Sequence, residues 1–471
     1  MTSRRPNPPQ APAKGKYTWK HKLVAVGLAL LAVGAIDVGV SLVGLVPPDD
    51  AEGFYAATCG KEYWPFEESA DGMLTIRKDW VSSGEVYRSD RGELAGRRFL
   101  YPGFRPCRFA RKKPAGTIRV FTFGGSTTFG QFVGFDRAFS AELRRKLEEA
   151  LPDRPVEVIN LGCPGMESTR VLALLKAVTR LEPDLLIVCS GHNEMLRGDV
   201  TEALSALSQF RQGLLGRSSL ARWIKYAAAS WGQSGQYKVL RDDVTALEEG
   251  KTLTYDPMAV PLEKRHLASR EYLDRTAATY AANLTEMVAS ARAGRTRILF
   301  VMPVASLVCP PYLSVHEEGF AQGKEFAALM DAAQKAAARN AIPEALADLD
   351  RASRLSPRFA IVWYMKGSLR ASTGDRAGAL ADLQKACDCD ARMHRMTSPL
   401  QNALTDVAAR QGVRLVDARA AFLADLSEAA TKKLFLDHCH PTVYGHALIA
   451  RHMLPAVLAE LGLQPTSAPG H

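Results

Sequence analysis

Residues 120–130 read VFTFGGSTTFG, a β-type run Val120-Phe121-Thr122-Phe123 that stops at Gly124-Gly125 and is followed by Ser126, Thr127 and Thr128. Paired glycines bend a chain sharply, and a serine or threonine after them suits a helix N-cap. The same arrangement also holds a nucleophile at the carboxyl end of a buried strand, where α/β enzymes keep their sites. The rest of the chain decides between a capped turn and a catalytic serine.

Outward from this stretch the pattern is regular. Ile118–Phe123 predicts a strand, Ala138–Leu151 an amphipathic helix and Val156–Asn160 a second strand. Val171–Leu181 predicts a helix and Leu185–Cys189 a fully apolar strand. Residues 198–260 predict a helical, lid-like segment with Trp223 and Trp231 on apolar faces. Then come a long helix at Ala268–Ala293 and a strand at Arg297–Met302, ended by Pro303. The rhythm resumes with a helix at Thr397–Arg410, a strand at Val413–Val416 and a last helix at Tyr444–Leu461. Strands alternating with helices predict an α/β fold whose parallel sheet is covered on both faces. Ahead of it, residues 50–115 read as a mixed extension of short strands and loops.

Residues 320–392 interrupt the rhythm with an alanine-rich, strandless segment. Ala345-Leu346-Ala347-Asp348-Leu349 recurs as Ala379-Leu380-Ala381-Asp382-Leu383, 34 residues on, and Ala352 matches Ala386. That is the period of tetratricopeptide helix pairs. Pro357 closes one unit, and Gly374 makes the turn of the next. About two repeats fit, fewer than stand alone, so they are expected to lean on the α/β domain. A generic pair of helical hairpins is the plainer alternative.

The chain has 471 residues, 47% hydrophobic and 23% charged, which is globular composition. Its formal net charge is +10, but Arg4, Arg5, Lys14, Lys16, Lys20 and Lys22 all fall in the first 22 residues, which carry no acid. The remainder shows no basic face with interleaved aromatics, so no nucleic acid partner is expected. Residues 23–47, LVAVGLALLAVGAIDVGVSLVGLV and then Pro47, are long enough to span a bilayer. Asp37 there costs about 2.5–3.5 kcal/mol on insertion scales, which the flanking Leu, Val and Ile offset. A cleaved signal peptide would have an apolar core of about 7–15 residues and a small-x-small site. The run is longer, so an uncleaved anchor is expected, with residues 1–22 as a cytoplasmic tail and the bulk of the chain outside the cytoplasm. The eight cysteines suit that compartment loosely, and their pairing is not legible.

Three more segments fall where strands should end: Asn160-Leu161-Gly162-Cys163-Pro164-Gly165, Ser190-Gly191-His192-Asn193-Glu194 and Asp437-His438-Cys439-His440-Pro441. Singly each has an ordinary reading. Gly165 suits a turn, Asn193 a cap, and Asp437 and His440 a solvated loop, or two ligands of a structural metal site together with His438 and Cys439. Together they supply acyl-transfer chemistry. His440 can take the Ser126 proton while Asp437 orients the imidazole. The backbone N–H groups of Ser126 and Gly165 and the Asn193 amide can receive an oxyanion.

In order and content the four blocks resemble the SGNH/GDSL hydrolases, whose blocks carry Ser, Gly, Asn and Asp-x-x-His in turn. The resemblance covers about 116–315 and 393–462. It implies a three-layer, flavodoxin-like parallel sheet, with hydrolase segments at 116–319 and 393–465 around the inserted repeats at 320–392. It further implies Ser126 as nucleophile, Gly165 and Asn193 as oxyanion donors, Asp437 as orienting acid and His440 as base, with no cofactor and no metal. Gly125 stands where many members have Asp, and Glu194 where the third block often has Asp; neither removes a catalytic group. No Gly-x-Ser-x-Gly elbow occurs in the chain, which disfavours the α/β-hydrolase layout.

The expected activity is that of a membrane-anchored serine esterase acting outside the cytoplasm. Its expected substrate is an acylated carbohydrate or lipid, foremost an O-acetyl ester of cell-envelope or exported polysaccharide. O-acyl transfer by the same triad is one alternative. A scaffold whose repeats bind a protein partner beside a passive hydrolase fold is the other. A histidine base near the unperturbed imidazole value of about 6.5 predicts activity that falls below about pH 6.

Overall fold

The computed structural model describes residues 64–76, 87–88, 94–96, 103–134, 136–195 and 267–464, all within one compact unit, Cys59–Ala203 and Gln233–His471. The expected anchor at 23–47 and the lid-like segment at 198–260 lie outside the described residues. Among those described, no helix is long and apolar enough to cross a membrane.

The extension contributes short strands: β1 (Phe66–Glu68), β2 (Met73–Ile76), β3 (Tyr87–Arg88), β4 (Leu94–Gly96) and β5 (Arg108–Ala110). β1, β2 and β5 form an antiparallel sheet in that order, and β3 pairs with β4. Arg119 roots the three-stranded sheet in the main domain. Fully buried, it donates to Ala110 O at 2.7 Å and Leu181 O at 2.9 Å and pairs with Glu157 at 2.7 Å.

The main sheet is built from β6 (Ile118–Gly124), β7 (Val156–Gly162), β8 (Leu185–Cys189), β9 (Arg297–Val301) and β10 (Leu415–Val416), all parallel, in the order β10-β9-β8-β6-β7. Renumbered within the sheet this is 2-1-3-4-5, the flavodoxin-like doubly wound order. Every residue of β6 and of β8 is buried, which explains why they read as continuous apolar runs rather than as alternating ones. Between β6 and β8 the chain leaves the sheet in opposite directions, and a crevice opens at their carboxyl ends.

One face is covered by α2 (Phe139–Ala150) and the C-terminal helix Val443–Leu461, through Leu143, Leu147, Ile449, Met453 and Val457 against Val120, Ile187 and Leu299. The other carries α3 (Ser168–Val178), α4 (Arg270–Ala293) and the helix Ser398–Gln411. One helical turn, α1 (Ser126–Phe129), follows β6 directly.

Between β9 and Ser398 lie four helices: α5 (Gly323–Ala338), α6 (Ile342–Leu355), α7 (Ala360–Ser372) and α8 (Arg376–Asp388). They pack as two hairpins, α5 with α6 and α7 with α8. The 34-residue sequence repeat falls on the second helix of each. Ala345, Leu349 and Ala352 on α6 are buried, as are Ala379, Leu383 and Ala386 on α8. The remaining helices are α9 (Ser398–Gln411), α10 (Arg419–Phe422), α11 (Glu428–Leu434) and α12 (Val443–Leu461).

Candidate active site

Ser126 sits at the exit of β6, at the start of α1 and nearly buried. The N-cap of that turn is Gly125, with no side-chain cap bond, so the capped-turn reading of Ser126 and Thr127 does not describe the geometry. Both glycines are required by close approach. A Cβ on Gly124 would lie 2.0 Å from Cys189 O, and one on Gly125 would lie 2.1 Å from Asn193 Nδ2. Gly125 therefore leaves the space that the Asn193 amide fills. Thr127 and Thr128 fasten the turn to its neighbours, Thr127 Oγ1 donating to Cys439 O at 3.3 Å and Thr128 Oγ1 to Cys189 O at 3.2 Å.

The second and third blocks converge on this turn. Asn160 Nδ2 donates to Thr128 O at 2.7 Å and Ser140 Oγ at 2.8 Å. Asn193 Nδ2 donates to Met166 O at 2.9 Å, joining it to the residue after Gly165, whose φ is +71°. Gly125, Ser126, Thr127, Ser190, Gly191 and Asn193 line one narrow cleft. His192 is buried and neutral: Nε2 donates to Val304 O at 3.1 Å, Nδ1 accepts from Met396 N at 3.0 Å, and burial pushes its pKa down to about 4.

The last block closes the arrangement. His440 Nε2 lies 2.8 Å from Ser126 Oγ, and His440 Nδ1 lies 2.6 Å from Asp437 Oδ2. Asp437 Oδ1 also accepts the backbone N–H groups of Cys439 at 2.9 Å and His440 at 2.8 Å. Burial opposes ionisation of Asp437, but these hydrogen bonds and the imidazole charge hold its carboxyl well below the usual range. Burial likewise opposes charge on His440, yet the adjacent Cys439 sulfur and the Asp437 carboxylate outweigh it and raise its pKa.

Of the four residues in the metal alternative, Asp437, His438, Cys439 and His440, the loop leaves out His438. His438 turns away, its ring 3.7 Å from that of Tyr312 and its Nε2 2.8 Å from Pro310 O. Asp437, Cys439 and His440 instead bring one donor atom each within 4.8 Å of one another. A thiolate, an imidazole and a carboxylate suit zinc, but such an ion would take the atoms that link Asp437 to His440.

Two further residues, Arg105 and Phe132, give no sign in the sequence, and Glu194 is named there without a role. Arg105, buried, donates to the carbonyls of Phe129, Gly130 (2.5 Å) and Val133 (2.9 Å) and lies over the Phe129 ring. It thereby pins the loop after α1, in which Phe132 has φ +69° and sets its ring edge-on to His440, centroids 5.0 Å apart. Glu194 accepts from Ser168 N at 2.9 Å and Ser168 Oγ at 2.7 Å, tying the Asn193 loop to the start of α3. Its burial outweighs those donors and raises its pKa to about 7. Only Glu194 left a signal, as an acid directly after Asn193.

A profile of the GDSL-like lipase/acylhydrolase family matches residues 122–360. The chain belongs to that family. It is accordingly an enzyme that acts on ester bonds. The GDSL match begins within β6 and ends in α7, before Asp437 and His440. No curated protein matches the chain. Similar solved structures include LAE5, an α/β hydrolase enzyme from the metagenome of Lake Arreo, Spain, 15% identical with a TM-score of 0.32, covering 75% of this chain and 97% of that one. Another is the acetylxylan esterase Axe2 from Geobacillus stearothermophilus, 14% identical with a TM-score of 0.31, covering 76% of this chain and 99% of that one.

Proposed function

We propose that this GDSL-family chain is a serine esterase in which Ser126 is the nucleophile, His440 the general base and Asp437 its orienting acid. The reading rests on one observation: a single imidazole lies within hydrogen-bond reach of Ser126 on one nitrogen and of Asp437 on the other. His440 takes the Oγ proton as Ser126 attacks the ester carbonyl. The oxyanion is received by the backbone N–H groups of Ser126 and Gly165 and the amide hydrogen of Asn193 not spent on Met166. His440 then returns the proton to the departing alcohol. Water enters, gives its proton to His440 and attacks the acyl-Ser126 ester, releasing the acid and restoring the serine.

The substrate in this reading is an O-acyl, foremost O-acetyl, ester of cell-envelope or exported polysaccharide. Residues 23–47 anchor the chain, and the catalytic domain stands outside the cytoplasm. The chemistry that supports this is the long apolar run after a basic tail. The paired hairpins α5–α8 act as a tetratricopeptide-like insertion, supported by the 34-residue repeat whose Ala345 and Ala379, Leu349 and Leu383, and Ala352 and Ala386 are buried alike. They offer a surface for a protein partner.

Fluorophosphonate labelling and p-nitrophenyl acetate turnover of the full chain test the assignment. Both should vanish in Ser126→Ala. Labelling that persists in the variant, or a folded wild-type chain that never labels, would remove Ser126 from the role.

A further inference from the structure

Two stretches flank the helical insertion, residues 303–322 before it and 390–397 after it, and both run beside the Asp437–His440 loop. Ser306 N donates to His438 O at 2.9 Å. Arg395 and Asp390, each with a side chain 2% exposed, pair at 3.3 Å. Arg395 Nη1 donates to the carbonyls of Ser306 and Cys309, each at 3.0 Å. Asp390 accepts from Tyr312 N at 2.8 Å and from Leu313 N and Arg392 N, each at 3.0 Å. Burying an ion pair is weak as a source of stability, because desolvation offsets most of the attraction. What this pair achieves is position: it fixes both flanks against each other and against the catalytic loop.

The side chain it holds out is Tyr312. Its ring stacks on His438, centroids 3.7 Å apart and planes 20° from parallel, and leans on His394 at 5.0 Å. His438 Nε2 donates to Pro310 O at 2.8 Å, and His394 Nε2 accepts from Arg392 Nε at 3.0 Å, so each ring has one nitrogen committed. All three side chains are half-buried. Burial, with nearby cations, pushes both imidazole pKa values down to about 4. At neutral pH the cluster is thus aromatic, polar and, in its rings, uncharged. His438 is the residue after Asp437, and both rings feel the charges of Asp437 and His440.

We propose that Tyr312, His438 and His394 form a subsite for a neutral sugar ring beside the Asp437–His440 loop. Fixed aromatic surface matches the C–H face of a pyranose, and phenol and neutral imidazole groups match its hydroxyls, the mixture that small-molecule sites use. The rings themselves carry no charge that would hold a carboxylate or phosphate. The inference deepens the polysaccharide-esterase reading and rests on it for the meaning of the bound sugar, but binding itself needs no working Ser126.

The test is saturation-transfer NMR on the detergent-solubilised full chain, with neutral xylo-, cello- and chito-hexasaccharides and an oligogalacturonate of equal length. At least one neutral sugar should bind. Tyr312→Ala should weaken it by about tenfold or more, and Tyr312→Trp, which keeps a ring, should restore it. Ser126→Ala should bind as wild type does, so failure of the esterase assignment appears in the labelling experiment and failure of the subsite here. Binding of no neutral sugar, binding indifferent to Tyr312→Ala in a folded variant, or preference for the oligogalacturonate would overturn the proposal.

Discussion

His440 Nε2 stands 2.8 Å from Ser126 Oγ although 314 residues of chain separate them. The strand that delivers Ser126 lies inside the sheet beside β7 and β8, while His440 arrives on the loop before α12. Thr127 makes a second bridge to that loop through Cys439 O. The contact is therefore fixed from both sides rather than left to one rotamer.

The pH dependence of esterase activity follows from the two groups beside His440, the Cys439 sulfur and the Asp437 carboxylate. Because the folded His440 pKa is raised above its usual value, the free-base ring that the proposed mechanism requires is populated only at higher pH. The rate should rise with pH and reach half its plateau above about 6.5, so the acid limb expected near pH 6 from an unperturbed imidazole moves in the alkaline direction. In Asp437→Asn one of the two raising groups is gone, and the Cys439 sulfur stays. The midpoint should fall and the plateau should drop, by about 10⁴-fold if the carboxylate acts as in serine proteases. A midpoint that stays put in the variant, read from kcat/KM against pH, would mean that Asp437 does not set the base.

Phe132 couples the loop after α1 to the base. A non-glycine residue at φ +69° carries about 1–2 kcal/mol of backbone strain. Phe132→Gly relieves that strain and removes the ring beside His440. Its melting temperature should hold or rise while kcat/KM falls roughly 3- to 10-fold, the worth of one aromatic contact. Arg105→Lys should lower activity in the same sense, because one ammonium cannot replace a guanidinium fork on three carbonyls. Unchanged turnover in Phe132→Gly would make the ring a bystander.

Glu194 predicts a slope in stability. Its pKa in the folded chain is raised to about 7, against 4.5 for the free side chain. The stability tied to its protonated form is complete below about 4.5 and is lost as pH climbs through 7, up to about 3 kcal/mol. Glu194→Gln cannot ionise, so the fall in melting temperature between pH 5 and 7.5 should be shallower than in the wild-type chain. Parallel curves would show that the carboxyl stays charged throughout.

How far the sequence foretold these features can be traced residue by residue. The strand and helix rhythm is legible because β6 and β8 are buried on both faces and α2 and α12 on one, so hydrophobic period reports them directly. The 2-1-3-4-5 order is not legible, since periodicity says that a strand is buried but not on which side of its neighbour it pairs. The chemistry-bearing types Ser126, Gly165, Asn193, Asp437 and His440 stand out because glycines and prolines frame them. Arg105 does not, because an arginine before Pro106 looks like any solvated cation until the three carbonyls it serves fold around it. Asp390 and Arg395 likewise read as surface charges, and only the tertiary packing makes each the partner the other requires.

The distance along the chain between Ser126 and His440 also has a consequence in time. A chain made from its N-terminus completes β6, the crevice and the whole helical insertion before His440 exists. If the proposed triad operates, the serine has no base until α12 has been synthesised and docked over the sheet. On that mechanism every copy lacking the His440 loop is inert towards the esters around it, and arrival of that loop is what switches the enzyme on.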